Sequence, residues 1–222
     1  MEKIQKSEII FILDRSGSMY NLVDDVVGGF NSFIDEQKKD PENSFFTLVT
    51  FSDTYDISLD TVPISEVSTM KQSDYRPGGN TALNDAIGHI LQKKIASYST
   101  MDDSPKRVVV AIMTDGHENA SKEFNASKIK EMVNDLTAKE WTFMFLAANI
   151  DAFATGSSYG FQTTNTVSFA ASSKDVNTNF RSISRSYAKS RSLSDTEYTL
   201  TKDSLLSEAN EEIKKEENGE NE

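Results

Sequence analysis

The run IIFILDRSGS, residues 9–18, passes from apolar side chains straight into Asp14, Ser16 and Ser18, three oxygen-bearing groups within five residues. Two other stretches offer the same chemistry. RPGGNTAL sets Thr81 behind Gly78 and Gly79, and a second apolar run ends in TDGHEN, which holds Asp115. Hydroxyl and carboxylate oxygens, with neither thiol nor imidazole in the motif, suit a hard divalent cation. A small ion such as magnesium takes octahedral geometry and keeps waters of its own. Neutral hydroxyls leave such an ion electrophilic, while the two aspartates balance its charge directly or through water.

For these groups to meet, they must stand at the same end of neighbouring strands. IIFIL, SFFTLVTFS (44–52), RVVVAIMTD (107–115) and WTFMFLAAN (141–149) are short continuous apolar runs, as expected of strands covered on both faces. TYDISLDTV (54–62) alternates polar and apolar residues and follows its predecessor closely, which predicts an antiparallel edge strand; TNTVSFA (164–170) is a weaker sixth. Between them, Val23, Val26, Val27, Phe30, Phe33 and Ile34 recur at helical spacing, as do Leu83, Ala86, Ile87, Ile90 and Leu91. Further helices are predicted over about 126–139, 177–190 and around Leu205, Leu206, Ala209 and Ile213. The alternation predicts an α/β fold, an open and mostly parallel six-stranded sheet with helices on both faces. Ligands of such sheets sit beyond the carboxyl ends of the strands, where the strand order reverses. Three oxygen-rich loops are thereby expected at one spot, with Thr81 doubling as a helix cap.

In order and spacing, DRSGS, then the GGNTAL threonine, then TDG, the chain resembles the von Willebrand factor type A domains and their metal-ion-dependent adhesion site. All five motif positions are matched, by Asp14, Ser16, Ser18, Thr81 and Asp115, and the likeness covers about residues 8–192. The resemblance implies a Rossmann-like sheet with one antiparallel edge strand, and magnesium, or manganese in its place. It also implies recognition rather than reaction, with an Asp or Glu carboxylate of a protein partner completing the ion's coordination. Arg15, Gly79, Asn80, His117 and Glu118 are the expected rim of that contact, Arg15 pointing outward to receive the acid. Cytosolic members of the family often work in multiprotein machines, some with AAA-class ATPases. This chain has no G-x-x-x-x-G-K-[ST] run, so ATP hydrolysis would belong to another subunit. Residues 1–192 are read as the type A domain and 193–222 as an acidic extension, partly helical and partly disordered.

Rival chemistries fit less well. A magnesium-dependent phosphatase of the haloacid-dehalogenase kind would use Asp14 as nucleophile, but its second acid is replaced by Ser16. A serine hydrolase would need G-x-S-x-G, which DRSGSM lacks. His117 stands in a loop with no second ligand, and His89 is read as part of a surface stripe with Thr81 and Asp85. Arg181, Arg185 and Lys189 are expected to form a solvated face paired with the acidic tail.

The formal net charge is -12, and residues 195–222 hold ten acids against three lysines, so the tail carries most of the excess. That balance argues against general affinity for nucleic acid or anionic lipid. The chain has no cysteine, its first apolar run is too short for a signal segment, and no stretch of about 20 apolar residues occurs, which together predict a cytoplasmic protein without a membrane partner.

Overall fold

The structure, a computed structural model, describes residues 5–148 and 150–218. Asn149, the last residue of the fifth predicted strand, and residues 219–222, in the end of the chain expected to be mobile, lie outside the described residues.

All six expected strands form one sheet: β1 (Ser7–Asp14), β2 (Ser44–Phe51), β3 (Tyr55–Pro63), β4 (Arg107–Thr114), β5 (Thr142–Ala148) and β6 (Thr166–Phe169). Their order is β3-β2-β1-β4-β5-β6, with β3 antiparallel to β2 and every other pair parallel. Among the described residues seven α-helices accompany them: α1 (Val23–Gln37), α2 (Leu83–Ser99), α3 (Ala126–Thr137), α4 (Ala152–Ser158), α5 (Ser173–Ser192), α6 (Asp195–Thr201) and α7 (Leu205–Asn218).

Successive strand residues point to opposite faces, so β1 serves two cores. Ile9, Phe11 and Leu13 pack with side chains of α1 and α5, whereas Ile10 and Ile12 pack with those of α2, α3 and α4. The first core is closed by Phe180 of α5 stacked on Phe11, ring centroids 5.5 Å apart. A methyl group on Gly29 of α1 would lie 2.3 Å from the Phe180 ring, so α1 and α5 approach this closely only over a glycine.

Beyond α5 the chain folds back onto the domain. Tyr198 of α6 is buried and bonds through its hydroxyl to Thr142, while Arg107 of β4 reaches the Ser190 carbonyl and Asp195. In α7, Leu205, Leu206, Ala209 and Ile213 are all buried. The expected pairing of the α5 basic face with the acidic tail is found at Lys189 and Glu208, 2.5 Å apart, and at Arg185 and Glu212, 4.0 Å apart. Such exposed pairs contribute less than about 1 kcal/mol each, so the apolar side chains supply most of the docking energy. Among the described residues no helix is long and apolar enough to cross a membrane.

Candidate metal centre

Strands β1 and β4 lie side by side in parallel, and the chain leaves β1 for β2 on the opposite flank. Their carboxyl ends therefore form the switch point of the sheet. Asp14 is the last residue of β1 and is 0% exposed. One of its carboxylate oxygens accepts the Ser16 amide proton at 2.7 Å and the other accepts the Thr114 hydroxyl at 2.6 Å, which fixes the plane of the group.

The next two oxygens follow at once. The Ser16 and Ser18 hydroxyls are 3.0 Å apart, and Ser18 donates to Asp115 Oδ1 at 2.5 Å. Metal–oxygen distances of about 2.0–2.1 Å put adjacent corners of an octahedron about 2.9 Å apart, so the serine pair already has the spacing of two neighbouring ligands.

The second loop is laced to the first by backbone bonds. Gly78 N–H donates to the Arg15 carbonyl at 2.8 Å, and Gly17 N–H donates to the Gly79 carbonyl at 3.0 Å. Gly79 has φ +81°, and a Cβ there would fall 1.9 Å from the Asp53 carboxylate, so conformation and space both demand glycine. Asn119 then holds Thr81 in two directions, accepting its amide proton at 2.9 Å and donating to its carbonyl at 3.0 Å. A methyl group on Gly116 would lie 3.2 Å from the Thr81 hydroxyl oxygen and 3.7 Å from that of Ser18. Both hydroxyls thus face the space left above Gly116, and the five motif residues come together.

Thr81 does not cap α2. Its amide is taken by Asn119, and the first turn is capped from outside: Glu118 accepts from Asn84 N–H at 2.8 Å and the Ser121 hydroxyl from Asp85 N–H at 3.0 Å. Asp85 returns the favour to the amides of Lys122, Glu123 and Phe124. Of the expected rim, Gly79, Asn80 and His117 are exposed and Arg15 is half-buried. Asn80 donates its amide to Asp53, and the Glu118 carboxylate is turned toward the α2 terminus rather than outward. Tyr20, passed over in the sequence, stands 72% exposed two residues after Ser18. His89 is remote in chemistry as well as place, stacked on Tyr55 and 3.3 Å from Glu123.

Burial pushes the Asp14 carboxyl above its ordinary value; bonds from Thr114 and Ser16 pull it back and the nearby Asp115 charge raises it further. Asp115 is likewise raised by burial, against the Ser18 bond. Among the described residues no lysine or arginine forms an ion pair with Asp14. No cluster of three or more His, Asp and Glu able to hold a metal occurs among them either, so a cation here would depend on the hydroxyls. Two buried acids beside three hydroxyls, that of Ser18 on an exposed residue, are a donor set that fits a hard divalent ion.

A mostly parallel sheet with one antiparallel edge strand and oxygen-bearing side chains at its switch point defines the class. The sequence model of the von Willebrand factor type A domain matches residues 8–203, and the chain belongs to that family. No curated protein matches the sequence. Among solved structures it is similar to proximal thread matrix protein 1 of the mussel byssus, at 16% identity and TM-score 0.59, over 82% of this chain and 47% of that one. That protein is also known with a zinc-occupied MIDAS motif, at 15% identity and TM-score 0.57, over 82% and 48% of the two chains. The manganese-loaded TRAP protein of Plasmodium vivax matches at 14% identity and TM-score 0.55, over 78% and 71%. The pilus adhesin SpaC of Lactobacillus rhamnosus GG matches at 12% identity and TM-score 0.61, over 85% and 31%. The chain spans about half the length of the mussel protein. At these identities the likeness is one of fold.

Proposed function

We propose that this chain is a divalent-cation-dependent protein-binding module. Asp14, Ser16, Ser18, Thr81 and Asp115 hold magnesium, or manganese in its place, and the open side of the site receives an Asp or Glu carboxylate of a partner protein. When bound, the ion supplies a strong electrophile in a partly desolvated pocket, where a charge–charge bond is worth more than in water. The observation that carries the reading is the meeting of five oxygen-bearing residues from three separate loops, the fully buried Asp14 among them. The zinc and manganese forms of two proteins of the same fold support it.

Asp14 is poorly placed for nucleophilic attack. It is wholly buried, and Ser16 stands where that mechanism places its second acid.

Calorimetric titration with magnesium tests the reading, alongside capture of partners from native lysate with magnesium and again with chelator. Wild type is expected to bind the ion and to release its partners into chelator. Ser16→Ala combined with Ser18→Ala is expected to do neither. Equal titration heats, or identical eluates, would remove the metal bridge; magnesium-dependent turnover of a phosphate ester lost in Asp14→Asn would replace it with catalysis.

A pH dependence follows from the buried acids. Their raised pKa values mean that, above the ordinary 3.8, the folded cation-free chain holds more protons than the unfolded chain, so stability falls as pH rises through the window up to the raised values. Magnesium favours the ionised carboxylates and opposes that loss. At about 100 times its dissociation constant it is expected to raise the melting temperature by about 5–10 °C near neutral pH. The gain should shrink as pH is lowered toward the ordinary aspartate value, which melting curves with and without chelator will show.

A further inference from the structure

We infer that Tyr75 is a positioning residue of the cation site, a strut that sets the distance between the Asp14–Ser18 loop and the loop delivering Thr81. The inference rests on the reading of the site as a cation centre. Tyr75 is 1% exposed, and its hydroxyl donates to the backbone carbonyl of Asp14, the residue whose carboxylate enters the site. Its ring lies within electrostatic reach of both Asp14 and Asp115, and burial followed by those two charges pushes its hydroxyl well above the ordinary tyrosine range, so it stays a donor.

The segment around Tyr75 is anchored at its other end. Asn31 of α1 bonds Met70 in both directions, at 3.0 and 2.7 Å, and Gln72 bonds Asp24. Past Tyr75 the chain reaches Gly78 and Gly79, which are bonded to Arg15 and Gly17, and then Thr81. Tyr75 is thus the side chain that ties the span between the α1 anchor and the glycine pair to the end of β1. Without its hydroxyl, the tie between this span and the end of β1 rests on the two backbone bonds of Gly78 and Gly17, while Asn119 still holds Thr81 itself. Groups that orient metal ligands in this way typically change metal affinity on the order of 10–100-fold when removed.

The test compares Tyr75→Phe with Tyr198→Phe, which removes the equally buried hydroxyl that bonds Thr142 far from the site. Magnesium affinity is read by calorimetry, and exchange of the Gly17 and Gly78 amide protons by hydrogen-exchange spectroscopy in chelator. Tyr75→Phe is expected to weaken magnesium binding about 10-fold or more, with faster exchange at Gly17 and Gly78 and unchanged exchange at Met70. Tyr198→Phe is expected to lower the melting temperature and leave the affinity as in wild type. Wild-type affinity in Tyr75→Phe overturns the strut while leaving the cation site in place. Equal losses in the two variants overturn it as well, because they would report general destabilisation. Absence of magnesium binding in wild type would overturn the site reading and the strut with it.

Discussion

Lys94→Met is expected to lower the unfolding free energy by about 3–5 kcal/mol, measured by urea denaturation. The lysine is 1% exposed on α2, and its ammonium group lies 2.5 Å from Glu8, 2.7 Å from the hydroxyls of Thr47 and Thr61, and 2.8 Å from Asp60. Glu8 is 0% exposed and also accepts the Thr47 and Tyr98 hydroxyls, each at 2.5 Å. Asp60 is opposed by burial, yet bonds from Lys94 and Lys93 hold its carboxyl below the ordinary value. Deleting the ammonium group strands Glu8 as a buried acid without its cation, and the cost of an uncompensated charge exceeds the worth of the pair itself. Glu8→Gln added to Lys94→Met removes that charge, so the double variant is expected to be more stable than Lys94→Met alone. A loss below about 0.5 kcal/mol in the single variant, the range of ordinary surface substitutions, would show that the network contributes nothing.

This network also marks where sequence reading ends. The apolar runs were legible as strands because a strand buried on both faces has no polar position, and all six were found. Lys94 was not legible, since ILQKKIAS offers two adjacent lysines and only the fold buries one. Its partners depend on an irregular register between β2 and β3 at Thr47 and on Thr61 with φ +54°, features with no local signal. Helix α4 went unread because AFATGSS has no apolar stripe; α6 did carry a signal, the capping box of Ser194 and Glu197. At the site, the nearness of the motif residues was legible from the order of the three stretches DRSGS, GGNTAL and TDG, since each alone reads as an ordinary turn or helix cap. Their braces were not. Tyr75 and Thr114 reach Asp14 across 61 and 100 residues of sequence, and Glu118 reaches Asn84 across 34, so only the folded sheet reveals which tyrosine, threonine or glutamate does the holding.

Gly116→Val is expected to weaken magnesium binding by about 100-fold, the upper end of what changes beside the ligands of a metal produce, with little change in cation-free stability. Gly116 has no left-handed φ, so a branched side chain meets no backbone penalty of that kind. What it meets is the site. Its Cβ would already lie 3.2 Å from the Thr81 oxygen and 3.7 Å from the Ser18 oxygen, and the added methyl groups extend into the space those hydroxyls face. Apolar carbon there displaces the ion or the waters it keeps, and offers no lone pair in return. Gly78→Val is the matched control: it belongs to the neighbouring loop, has nothing within 4 Å of its Cβ position and no left-handed φ, and is expected to bind magnesium as wild type does. The comparison separates crowding of the hollow from disturbance of the loops. Should Gly116→Val titrate like wild type, the ion does not sit between Ser18 and Thr81, and the three-loop site must be abandoned even if magnesium binds elsewhere on the chain.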